Sequence, residues 1–273
     1  LGIKTISEFF TSKLANDLLS EYGYPKLVIA NNVMAHVPDL VDFVKGLALL
    51  SGPDTQVSIE NPSLANILED MQFDTIYHEH YSYLSASAVA KIGRMNGLDL
   101  IKVEQIDIHG GSNRYWLTKS SLESTIHDSV KEMISRENEI LLFSHEKWSG
   151  YSLEVGNIME GLSTWLRAGK TEGKRIYGYG AAAKASTILN SIEVEPGSII
   201  AIADKSLEKQ DRYMPPNGVK VISPQKLFLE NPTDVLIFPW NIKAEITEYL
   251  NANLDTNVRM WCVIPTMHQV VVN

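Results

Sequence analysis

The sequence predicts an α/β protein: two open parallel-sheet units joined by a helical connector. Three observations carry that expectation. Short continuous apolar runs, such as residues 26–30 and 234–238, alternate with stretches of helical period, as in strands buried on both faces between crossover helices. The alternation occurs twice, before residue 119 and again after residue 171. The residues between are charged and helical in period, without a strand-like run. The expected division is therefore 1–119, 120–170 and 171–273, and a length of 273 residues suits two domains.

In the first unit, Ser7 is a plausible N-cap for a helix over 7–22, with Phe9, Phe10, Leu14, Leu18 and Leu19 at helical spacing and Pro25 beyond its end. Residues 26–30 read as a strand buried on both faces, leading into Asn31-Asn32. Leu40, Phe43, Val44, Leu47 and Leu50 mark a helix over 40–50, and Gly52-Pro53 turns the chain into a strand over 56–60. That β-α-β pattern is the unit of an open parallel sheet. A helix over 87–96 stops at Gly97, and two strands follow, 98–108 and 113–119. The glycine-centred connection His109-Gly110-Gly111-Ser112 predicts a hairpin.

In the connector, Ile126, Val130, Met133 and Ile134 share one face, and Ile158, Leu162, Trp165 and Leu166 another, with Gly150 and Gly156 as interruptions. The second unit opens with a strand over 174–177, a turn through Gly178 to Lys184 and a helix over 185–192. Strands follow over 198–203, ending in Asp204, then 219–222, 234–238 and 258–263, with a helix over 244–250.

Composition narrows the function. Hydrophobic content of 44% with 21% charged residues is that of a soluble globular protein. With 24 basic and 33 acidic residues the net charge is −9, which argues against a nucleic-acid surface but leaves room for an anionic small ligand. A single cysteine, Cys262, excludes an internal disulfide and a cysteine zinc site, and fits the reducing cytoplasm. No apolar run reaches the ~18–20 residues of a membrane span. The opening Leu1-Gly2-Ile3-Lys4 has neither a starting methionine nor a signal peptide, and suggests a fragment of a longer protein.

The densest chemistry lies in residues 74–83, DTIYHEHYSY. Three readings compete there. His78-x-His80 could bind metal, but no further ligands stand at matching spacing, so no metal site is expected. The loop could simply pack its aromatics. Or it is an acid/base site, a histidine beside a carboxylate and a phenol. Elsewhere, Gly178-x-Gly180 opening a helix, with Asp204 at the next strand's end, resembles a dinucleotide fingerprint. The third glycine is replaced by Ala183, Lys184 follows, and structural turn and phosphate cradle remain equal readings. Asn31, Asn32 and His36 lie beyond the carboxyl end of a strand, where open sheets bind ligands, though the asparagines could equally cap or turn the backbone and His36 be a satisfied buried histidine. Arg114, after His109, Gly110, Gly111 and Ser112, could clamp a phosphate or carboxylate, or the stretch is a plain hairpin turn with Arg114 paired to a surface acid. Trp240, with Asn241, could stack on a base or belong to the core.

In chain order, LVIANNVMAHVPD (27–39), FDTIYHEH (73–80), HGGSNR (109–114), YGYGAAAK (177–184) and FPWN (238–241) resemble the S-adenosylmethionine-dependent C-methyltransferases of nucleotide-linked (TDP) 4-keto-deoxysugars. The likeness runs over essentially the whole chain, and a parallel sheet closed by an antiparallel hairpin agrees with it. The resemblance implies a partial class I (Rossmann-like) methyltransferase domain, lacking the first strands and the glycine-rich loop for S-adenosylmethionine. A helical connector and a C-terminal Rossmann-like domain for the nucleotide sugar would follow. It further implies His80 as the base, Glu79 as its partner or a substrate contact, and Tyr77 as donor to developing charge. Asn31, Asn32 and His36 would line the cofactor junction. His109, Gly110, Gly111, Ser112, Arg114, Gly178, Gly180, Lys184, Trp240 and Asn241 would face the nucleotide sugar. The alternative is a non-catalytic module holding NAD or a sugar nucleotide at 178–184. The sugar, the methylated carbon and the oligomeric state, a homodimer among the options, stay open.

Overall fold

The computed structural model describes residues 2–121, 124–215 and 217–270. They form two compact units, Leu1–Asn66 with His78–Ser144, and Ile67–Tyr77 with His145–Asn273. The division differs from the one expected. The connector is not a body of its own, because its two apolar faces belong to helices in different units. Val130 and Met133 join the core of the first, while Ile158, Leu162 and Leu166 are buried within the second.

In the first unit, α1 (Ser12–Tyr22) begins later than Ser7. Its N-cap is Thr11, whose hydroxyl accepts from the Leu14 N–H at 3.2 Å, and Phe10 is already committed edge-on to Phe43 before the helix starts. β1 (Leu27–Asn31) leads through a short 3-10 turn at Met34–His36 to α2 (Leu40–Leu50), which Asp39 caps. β2 (Gln56–Pro62) pairs in parallel with β1. Among the described residues β1 pairs only with β2, and Leu27 and Ile29 are 47% and 62% exposed, so it is an edge strand and not buried on both faces.

A short helix without a sequence forecast, α3 (Leu64–Glu69), precedes α4 (Ala86–Met95). Ser85 caps α4, and the buried Glu137 carboxylate accepts from the Ala86 and Ser87 N–H groups at 2.5 and 3.0 Å. That places negative charge on the positive end of the helix. β3 (Leu98–Ile106) and β4 (Ser112–Lys119) form the forecast antiparallel hairpin. β4 inserts between its neighbours, giving the order β1-β2-β4-β3. α5 (Asp128–Glu139) completes the unit, and Phe43, Leu47, Val57, Ile59, Val89 and Tyr115 fill its core.

The second unit begins its continuous run with α6 (His145–Thr171), which passes through Gly150 and Gly156 without interruption. A glycine costs a helix only ~1 kcal/mol, and a helix of 27 residues with one buried face absorbs it. β5 (Ile176–Tyr179) starts two residues later than forecast, so Gly178 lies inside the strand. There follow α7 (Ala183–Asn190), β6 (Ile202–Ala203), β7 (Val221–Ile222), α8 (Pro224–Leu229), β8 (Asp234–Ile237), α9 (Lys243–Asn251), β9 (Arg259–Cys262) and β10 (His268–Gln269). The order is β10-β9-β8-β5-β6-β7, parallel except for β10. From β5 the chain winds outward through β6 and β7, then returns to β8 and winds the other way. The crevice beyond β5 and β8 is the topological switch point, where doubly wound sheets bind ligands.

Candidate functional site

In the first unit the loop after residue 77 is held by the turn that follows β1. Asn32 turns that corner with φ +51°, a left-handed conformation that asparagine tolerates, and its N–H donates to Glu60 O at 2.8 Å. Asn61 Oδ1 accepts from the Ala35 N–H at 3.2 Å, fixing the turn to the end of β2. The turn in turn fixes the loop. Ala35 O accepts from the Tyr81 and Ser82 N–H groups at 2.8 and 3.2 Å, and His36 Nδ1 donates to Glu79 O at 2.9 Å. A carbonyl can only accept, so His36 carries a proton on Nδ1. Its ring lies 4.7 Å, centroid to centroid, from that of His80, and Tyr83 meets His80 edge-on at 6.0 Å. His80 is half-buried and Glu79 exposed, with the Glu79 carbonyl, not its carboxylate, making the contact to His36. A cavity of about 390 Å³, lined by Phe9, Phe10, Val33, His36, Val37 and Phe43 among others, opens beside His36.

The hairpin residues are accounted for by structure. His109, Gly110 and Gly111 all take positive φ. A Cβ on Gly111 would stand 2.3 Å from the Asn66 amide, and Gly111 O accepts from the Ser63 N–H. Ser112 donates to Ile108 O. Arg114 is the register partner of Glu60 across the sheet and donates to its carboxylate at 2.6 Å through Nε. Of the two readings of Arg114, the structure has the acid pair, with a buried acid.

In the second unit, Gly178 and Gly180 also have packing reasons. A Cβ on Gly178 would press on Ile202 and Phe238 at 2.7 and 2.8 Å. Gly180, at φ +89°, would strike Pro239 at 2.4 Å. The glycine turn and Pro239-Trp240-Asn241 thus meet at the switch point. Asp204 closes the turn, accepting from the Ala181 N–H at 2.7 Å and from Ser206 N–H at 2.8 Å.

One cluster there had no counterpart in the sequence reading. Asp74, wholly buried, belongs to the segment 67–77 that packs in the second unit. Its Oδ2 accepts from Trp240 Nε1 at 2.7 Å and stands 3.5 Å from Lys184 Nζ, which also lies over the Trp240 ring at 4.6 Å. Burial raises the Asp74 carboxyl against the opposing pull of Lys184, and lowers the Lys184 ammonium. Burial also pushes the Tyr151 hydroxyl up, with Asp74 adding to it. Lys184 and Trp240, forecast as free contacts for phosphate and base, have their ammonium and one ring face engaged with each other and with Asp74. The only signal in the sequence was an acid set between Phe73 and Thr75, which reads as ordinary loop. Tyr77 falls in the second unit and His80 in the first. Among the described residues no His, Cys, Asp and Glu group has the arrangement of a metal site.

Against known families, residues 107–265 match the C-methyltransferase C-terminal domain, more than half of the chain. The chain belongs to this C-methyltransferase family. It is also 26% identical over 264 residues to the C-methyltransferase NovU of Streptomyces niveus, covering 97% of this chain and 63% of NovU. It therefore spans less than two thirds of that relative. Among solved structures, a 16S rRNA (adenine(1408)-N(1))-methyltransferase W203A mutant from Catenulisporales acidiphilia is 11% identical, over 36% of this chain and 52% of its own. Its TM-score is 0.26, a likeness too slight to bear on the fold.

The carboxyl ends of β1 and β2 present Asn31-Asn32 and Asn61-Pro62-Ser63. Neither end carries a glycine-rich turn.

Proposed function

We propose that this chain carries the proton-abstracting and sugar-nucleotide-binding parts of an enzyme that C-methylates a TDP-linked 4-keto-deoxysugar. The observation that supports it most is the half-buried His80, held by His36 and Tyr83 in a loop pinned at three backbone points. His80 takes the proton from the carbon beside the ketone, the C–H pair becomes the new C=C bond, and the carbonyl pair moves onto oxygen. Tyr77 donates to that enolate oxygen. Glu79 contacts the substrate or balances the imidazolium. The chemistry drawn from S-adenosylmethionine is an electrophilic methyl group for the enolate carbon. Asn31, Asn32 and His36 line its junction with the sugar.

The nucleotide lies at the switch point of the second unit, along Gly178–Gly180, the first turn of α7 and Asn241. α7 has no side-chain cap on its N-terminus, so its first N–H groups are open to phosphate oxygens. Lys184 contributes its charge from beneath, already paired with Asp74. A single buried thiol suits a reducing compartment.

Titration calorimetry with a TDP-4-keto-sugar tests the assignment. Saturable binding that weakens at least tenfold in Asn241→Leu supports it. Absence of binding by the wild-type chain sinks it.

A further inference from the structure

We propose that Asp74 is a positioning residue that couples occupancy of the switch-point crevice to the placement of Tyr77. The inference rests on the function proposed above. Asp74 reaches both walls of the crevice: Trp240 follows β8, and Lys184 is the second residue of α7, just beyond the glycine turn. It is the one side chain seen to touch both among the described contacts. Its own backbone is closed by hydrogen bonds. Phe73–Thr75 form a single 3-10 turn, with the Thr75 N–H and hydroxyl both donating to Gln72 O and the Ile76 N–H to Phe73 O. Phe73, Asp74 and Thr75 are all buried.

The next turn of chain delivers Tyr77, the last residue of the segment that packs in this unit. A shift of Lys184 or Trp240 on phosphate or base contact is therefore passed to Asp74, and through a stiff buried turn to the phenol three residues on. Lys184 acts in this scheme as the counter-ion of Asp74, which agrees with its Nζ lying over Trp240 and against the carboxylate. A buried charge pair suits such a role, because separating its members is costly and a small displacement is transmitted instead of absorbed.

The test uses the whole chain, ¹⁵N-labelled, with TDP as the probe. In the wild type, TDP should shift both the Trp240 indole N–H and the Tyr77 amide resonance. In Asp74→Asn, which keeps an acceptor for Trp240 and the side-chain shape, TDP should bind within about twofold of wild type and still shift Trp240, while the Tyr77 response is lost. Lys184→Gln, read at saturating TDP, should reproduce that loss. With a TDP-4-keto-sugar in D₂O, Asp74→Asn should lower the turnover of α-proton exchange at least tenfold with KM little changed. A wild-type Tyr77 that ignores bound TDP, an undiminished response in Asp74→Asn, or a parallel loss of TDP affinity and exchange would overturn the coupling. No TDP binding by the wild type overturns the functional reading and the coupling with it.

Discussion

His36 and His80 lie ring against ring, 4.7 Å between centroids, and the hydrogen bond from His36 Nδ1 to Glu79 O ties the two through the backbone of the residue between them. One imidazole thus orients the other. His36 braces the loop, and His80 is left half-buried with its ring at 86° to that of Tyr83.

His36→Ala removes both the brace and the ring contact. Misplacing a reacting group by about 1 Å can cost on the order of 100-fold, so α-proton exchange should fall about 10- to 100-fold in the variant. TDP affinity, which is proposed to reside in the other unit, should stay unchanged. Exchange kinetics beside calorimetry separate the two.

The Asp74–Lys184 pair makes a prediction about stability. Lys184→Met leaves a wholly buried carboxylate without its cation and should destabilise by about 3–5 kcal/mol at neutral pH. Burial already holds the Asp74 carboxyl above its ordinary value, and losing Lys184 raises it further. A folded-state value above the unfolded one means that the native state keeps the proton longer. Stability is therefore highest below the ordinary carboxylate value and is lost as pH rises toward the raised one. The defect of Lys184→Met should shrink from pH 7 toward pH 4, and adding Asp74→Asn should restore stability to within about 1 kcal/mol. Urea unfolding across that range reads it.

Much of this was legible in the chain. The hairpin followed from His109-Gly110-Gly111-Ser112 between two apolar runs, and the β-α-β units from period alone. What escaped depends on what covers what. Ile29 reads as core because the run around it is apolar, yet the strand is at an edge. Gly178 and Gly180 read equally as cradle or packing, and only the positions of Phe238 and Pro239 show that packing demands them. Asp74 and Lys184 are far apart in sequence, and neither carries a sign of the other.

Glycine demand is testable at Gly111. Alanine there meets both a left-handed φ of +101° and the Asn66 amide. Gly111→Ala should lower stability by about 1–3 kcal/mol in denaturant, whereas Gly150→Ala, in open helix, should stabilise by up to about 1 kcal/mol.

Cys262 is buried and its thiol is pushed up to about 11 by desolvation. The native protein should therefore resist a thiol reagent at pH 8, and react with one equivalent once unfolded. Fast native labelling would show that β9 is open to solvent.

The account turns on an imidazole that removes a carbon-bound proton, a step that can be followed before any methyl group is transferred. The direct measurement is proton NMR of a TDP-4-keto-deoxysugar in D₂O with the chain added. The signal of the hydrogen beside the ketone should decay far faster than in buffer, and His80→Ala should abolish the acceleration while TDP still binds. A bound substrate that exchanges no faster than in buffer, or an undiminished rate in His80→Ala, would contradict it.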